Sequence, residues 1–94
     1  MNLNKIKSYY GLSVRSRKVA IGTNEIIEKN VFAVVASKTL SQNAQNKIYN
    51  HVQKTKAKIF VLSEEEMLFI TDNSNILAFG ITDKGFADAI EKNI

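Results

Sequence analysis

The sequence predicts a single α/β domain, a three-layer α/β/α sandwich around a small, mainly parallel or mixed sheet. Three observations carry this. Apolar runs rich in β-branched residues, VFAVVA (31–36), KIFVL (58–62) and NILAFGI (75–81), alternate with segments of helical spacing. The runs are continuous rather than alternating, as in strands covered on both faces. Ninety-four residues, without proline, repeat or low-complexity linker, suit one domain with one modest core.

The elements follow in order. Leu3, Ile6, Tyr10 and Val14 recur at helical spacing, so residues 3–18 read as a first helix, with Gly11 a weak point inside it. Gly22 closes the next connection. Residues 23–30 form a short second helix whose buried side is Ile26 and Ile27. The strand 31–36 follows, then a polar helix at 41–54 with Ala44, Ile48 and Val52 on one stripe, which Thr39 or Ser41 can cap. After the strand 58–62, Ser63 and Glu66 have the spacing of a capping box and open another helix, with acids at its positive end. The strand 75–81 leads to Asp83, which caps a last helix, 84–93, with Phe86, Ala89 and Ile90 inward. In such sheets the ligand surface lies at loops on one end. The 37–40 and 71–75 loops are expected to approach the start of the second helix.

Composition excludes several classes of function. There is no cysteine, hence no disulfide, thiolate nucleophile or cysteine metal site, which fits a reducing compartment. MNLNKIKSYY lacks the apolar core of a signal peptide, and no stretch approaches the roughly 18 apolar residues of a membrane span. A soluble, cytoplasmic protein is expected, with no membrane partner. The charge of +4 is segregated: residues 1–20 carry Lys5, Lys7, Arg15, Arg17 and Lys18 without an acid. Residues 31–62 carry Lys38, Lys47, Lys54, Lys56 and Lys58, again without one. Such segregation gives a positive face that attracts polyanions, or simply a solvated lysine-rich surface.

Catalytic chemistry is hard to assemble. His51, the one histidine, has Asn50 and Val52 as neighbours and reads as an ordinary helix-surface residue. Glu64, Glu65 and Glu66 point in different directions on a helix and do not converge on an ion. Phosphate-binding glycine loops are absent. No catalytic residue, metal site or cofactor is expected. Tyr9 and Tyr10 stand among basic residues and could stack on bases, but their spacing places at least one in the core. GTNE, residues 22–25, remains. The first N–H groups of a helix lack intrahelical partners and suit a phosphate. Asn24 offers a donor and acceptors, and Glu25 accepts from base amino and imino groups. The same four residues also suit a plain capped helix start.

Three segments resemble the kink-turn RNA-binding ribosomal-protein family of the L-seven-Ae and L-thirty-e type, and especially its small bacterial YlxQ-like branch. They are YGLSVRSRKVAIG (10–22), VFAVVASKTLSQNAQNKI (31–48) and ITDKGFADAI (81–90). The resemblance implies an α/β/α sandwich that binds structured RNA, kink-turn or ribosomal, without enzymatic activity, cofactor or DNA specificity. It implies that the RNA lies on the start of the second helix and two neighbouring loops. The family string G-A-N-E-x-x-K matches Gly22, Thr23, Asn24 and Glu25, with Thr for Ala. By that match Asn24 and Glu25 meet the sheared G·A pairs, and backbone amides near Gly22 and Thr23 meet the RNA. Arg15, Arg17, Lys18 and Lys38 would neutralise phosphates. Glu28 stands at the lysine position, and Leu68 and Asp72 replace two glycines of the family's L-G-x-A-x-G run, so another loop shape is expected there. Those departures support the rival reading, a protein-interaction module on the same fold with a ribosome-associated partner and weak or no specific RNA binding.

Overall fold

The computed structural model describes residues 1–94 as five helices around a four-stranded sheet. The order is α1 (Leu3–Arg15), β1 (Val19–Ile21), α2 (Thr23–Glu28), β2 (Ala33–Ser37), α3 (Gln42–Thr55), β3 (Lys58–Leu62), α4 (Glu64–Thr71), β4 (Ala78–Ile81) and α5 (Lys84–Asn93). Side-chain caps set most helix starts. Asn2, Ser41 and Asp83 each accept a first-turn amide, and Ser63 and Glu66 form the full capping box.

The helices pack in two layers. Ile6 and Tyr10 of α1, Met67 and Ile70 of α4, and Ala87 and Ile90 of α5 cover one sheet face at Ala33, Val35, Phe79 and Ile81. Ile26 of α2 and Ile48 and Val52 of α3 cover the other at Ala20, Val34, Ala36 and Ala78. Neighbouring residues Val34 and Val35 thus serve opposite layers, as the two-residue period of a strand requires. Tyr10 is core, its ring 4.7 Å from that of Phe79, while Val14 of the expected apolar stripe is exposed.

The sheet is mixed, with strand order β1-β4-β2-β3. Only β2 and β3 pair in parallel; β4 runs antiparallel to both β1 and β2. Of the two expected arrangements, mainly parallel or mixed, the sheet is the mixed one. The cause is local: α4 and the turn after it return the chain to the sheet end where β3 finished, so β4 runs back the other way. A parallel neighbour would have needed a connection crossing to the opposite end. The first helix is also shorter than expected. It stops at Arg15, Arg17 turns at φ 57°, and the chain enters β1, a strand absent from the sequence reading. The runs at 31–36 and 75–81 narrow to 33–37 and 78–81. β3, expected to be covered on both faces, is an edge strand with Val61 47% exposed.

Candidate functional site

β1 delivers the chain to Gly22, whose φ of 85° lies in the region that glycine favours. Its N–H donates to the Ala78 carbonyl at 3.0 Å, and its carbonyl accepts from Ile26 N–H at 3.1 Å. No side chain caps α2, in contrast to the four other helices. The first-turn amides of Thr23, Asn24 and Glu25 therefore face outward. Asn24 and Glu25 are exposed and Thr23 is half-buried. The Glu25 carboxylate meets the Lys29 ammonium at 3.2 Å, one helical turn on. Both side chains are about half exposed, so the pair is weak and opens readily.

The loop after β2 lies at the same sheet end. Ser37 N–H donates to the Leu77 carbonyl at 2.8 Å and Lys38 N–H to the Leu62 carbonyl at 2.9 Å. The Ser37 and Thr39 hydroxyls are 2.8 Å apart and tie this loop to itself. Reading across the sheet, this end presents Gly22, then residues 77–78, then Lys38, then Ser63. Gly22 and Lys38 are two strand spacings apart, about 10 Å. The loop after β2 lies at the sheet end where α2 starts, as expected; the approach expected of the 71–75 loop is made instead by residues 77 and 78. Asp72 adopts φ 54°. The left-handed turn a glycine would favour is thus made by an aspartate, with Lys7 as its ion-pair partner.

The acids of α4 border the same end, because that helix follows β3 directly. The Glu66 carboxyl is held below its ordinary range, chiefly by the Ser63 backbone N–H, then by the Ser63 hydroxyl, with a smaller contribution from Lys38.

The structure brings together Gly22, Thr23, Asn24, Glu25 and Lys38. Arg17 and Lys18 are not part of that group: they precede β1, and the Lys18 carbonyl accepts from Thr82 N–H at the opposite sheet end. Lys18 and Gly22 are four residue steps apart along extended backbone, about 13 Å. Arg15 borders a third area, a recess shared with Thr71, Asp72, Asn73 and Ile76. His51 is half-buried with its Nε2 3.4 Å from the Lys29 carbonyl, a place that fits the helix-surface reading. What the sequence reading missed is a recess beside Lys38, walled by Leu40, Ile48, Tyr49, Ile59 and Val61. Its one signal was the alternation of Ile59 and Val61 around Phe60, hidden inside a continuous apolar run.

Comparison with family models gives no match, and comparison with curated proteins gives none. Among solved structures the chain is similar to a protein of unknown function from Bacillus halodurans. The two share 17% identity over 95% of each chain, with a TM-score of 0.81. That likeness establishes the α/β fold.

Proposed function

We propose that the chain is a non-enzymatic, cytoplasmic RNA-binding protein that grips structured RNA at the start of α2. One observation carries the reading: Asn24 and Glu25 stand exposed on a helix start without a side-chain cap, beside the Lys38 loop. Helix-start amides favour a phosphate, and Asn and Glu side chains can complement base edges. The kinship of GTNE and its flanking segments to the kink-turn binders supports the same assignment. In this reading Asn24 and Glu25 contact bases, Gly22 and Thr23 let the backbone approach, and Lys38 neutralises a phosphate. Arg15, Arg17 and Lys18 meet RNA only where it extends beyond the tip.

The rival, a protein-interaction module with weak RNA binding, is favoured by Glu28. That exposed carboxylate closes α2 where a phosphate-binding lysine would serve, and Lys29 is engaged with Glu25. Fluorescence anisotropy against a kink-turn RNA and a straight duplex of equal length, at low and physiological salt, separates the two. The RNA reading expects kink preference that persists at physiological salt. Asn24→Ala is expected to reduce that preference by about 1–3 kcal/mol. Equal, salt-sensitive binding of both RNAs, unchanged by Asn24→Ala, would assign the tip to the rival.

A further inference from the structure

The sheet leaves β3 with β2 as its only neighbour. In a parallel ladder alternate residues turn their backbone groups to the neighbouring strand. Lys58 N–H donates to the Phe32 carbonyl, and the Leu62 carbonyl accepts from Lys38 N–H. These bonds fix the phase: Lys58, Phe60 and Leu62 face β2. The N–H and C=O groups of Ile59 and Val61 therefore point away from the sheet. An open row of this kind is a template for another strand, which proteins usually blunt with charge or proline. Val61, the second of its two residues, is apolar and 47% exposed.

The side chains of the same two residues wall the recess against α3. Its volume is about 200 Å³, with Leu40, Ile48 and Tyr49 opposite. Small-molecule pockets usually span about 300–1,000 Å³. This one has room for a single apolar side chain carried on an extended backbone, the arrangement by which a peptide adds to a sheet edge. The charge around it is one-sided. From β2 through β3 the chain carries Lys38, Lys47, Lys54, Lys56 and Lys58 and no acid; of these only Lys58 is ion-paired, to Glu91. A second copy laid along β3 would bring two lysine sets together, and like charges across an interface oppose it. Glu64, Glu65 and Glu66 follow the other end of β3, which directs a ligand's carboxylates toward Lys54 and Lys56.

We propose that the β3 edge takes an extended, acidic segment of a partner protein, which pairs with Ile59 and Val61 and seats one apolar side chain in the recess. This surface shares Lys38 with the site proposed for RNA but contains neither Asn24 nor Glu25, and it does not depend on the RNA reading. The probe is a fluorescein-labelled, end-blocked peptide of alternating Val and Glu with an acidic end, followed by anisotropy and by amide shifts at Ile59 and Val61. Binding is expected at physiological salt. Methylating every second backbone nitrogen, in one of the two phases, is expected to weaken it at least about tenfold, since strand addition rests on main-chain bonds. Lys in place of Glu in the peptide, and Val61→Lys in the protein, are expected to do the same without a change in melting temperature. Asn24→Ala is expected to bind the peptide as the parent does. Failure of the parent peptide to bind, equal binding in both methylated phases, or indifference to Val61→Lys overturns the proposal. So does a dimer in sedimentation that Val61→Lys abolishes, since a second copy would then hold the edge.

Discussion

Two glycines illustrate how strongly a residue's effect depends on what surrounds it. Gly80 sits in β4 where an added Cβ would lie 2.7 Å from Val31 Cγ1 and 3.4 Å from Ile26 Cγ1. Both neighbours are buried in the layer that α2 closes, so neither can retreat without opening the core. Gly80→Ala is expected to cost about 1–3 kcal/mol, the usual range for overpacking. Gly11 is the opposite case. It lies inside α1, and an added Cβ would meet nothing within 4 Å. No close packing compensates for its poor helix propensity, so Gly11→Ala is expected to stabilise the protein by about 0.5–1 kcal/mol. Urea denaturation of both variants checks the pair. A destabilised Gly11→Ala protein would mean that α1 needs the glycine for something other than packing. In the sequence the two glycines differ only by context: one interrupts a helical period, the other an apolar run. Which one is crowded depends on Val31, a residue remote in sequence that lies in the segment between α2 and β2.

At the scale of elements, the parts with local signals were legible. The helix starts at Ser41, Ser63 and Asp83 were readable because capping is a three-residue affair between a side chain and a nearby amide. α4 depends on its cap most, because it is only eight residues long and isolated helices of that length are marginal. Ser63→Ala is expected to cost about 1 kcal/mol. The charge on Glu66 adds a pH signature. Its folded carboxyl titrates below the ordinary 4.5 because Ser63 donates to the ionised form. The folded state thus binds fewer protons, and the contribution is present above the unfolded value and lost as pH falls through the folded one. Glu66→Gln keeps an acceptor without the charge. Its deficit against the parent is therefore expected at pH 7 and should fade at pH 3 in chemical denaturation; a constant deficit would mean the charge is irrelevant. What the sequence hid was nonlocal. β1 is three residues, too short for its period to show, and no glycine or proline marks the turn at Ser16–Lys18 that precedes it. β3 has the composition of a central strand, yet strand order puts it at the edge.

The whole molecule decides which charges can act together. Arg17, Lys18 and Gly22 lie within six residues of sequence, and reading along the chain groups them into one site. The extended β1 sends them to opposite sheet ends, while the return of β4 brings residues 77 and 78 between Gly22 and Lys38. The start of α2 after Gly22 was legible in the sequence; which cations stand beside it was not, because that depends on strand direction. A separation of function follows for the RNA reading. Phosphate contacts set affinity and its salt dependence, whereas base contacts set preference. Each phosphate neutralised contributes roughly 0.7–0.9 to the slope of log affinity against log salt. The double variant Arg17→Gln, Lys18→Gln is expected to lower that slope by up to about 2 on an RNA long enough to run along β1. It should leave the preference for kinked over straight RNA intact. Asn24→Ala should do the reverse, with an unchanged slope and a reduced preference. On a short kink-turn that ends at the α2 tip, the double variant should bind as the parent does, because its cations lie about 13 Å from Gly22. An equal loss on the short and the long RNA would place Arg17 and Lys18 in the tip contact after all. The RNA path would then have to wrap the β1 edge rather than sit on one end of the sheet.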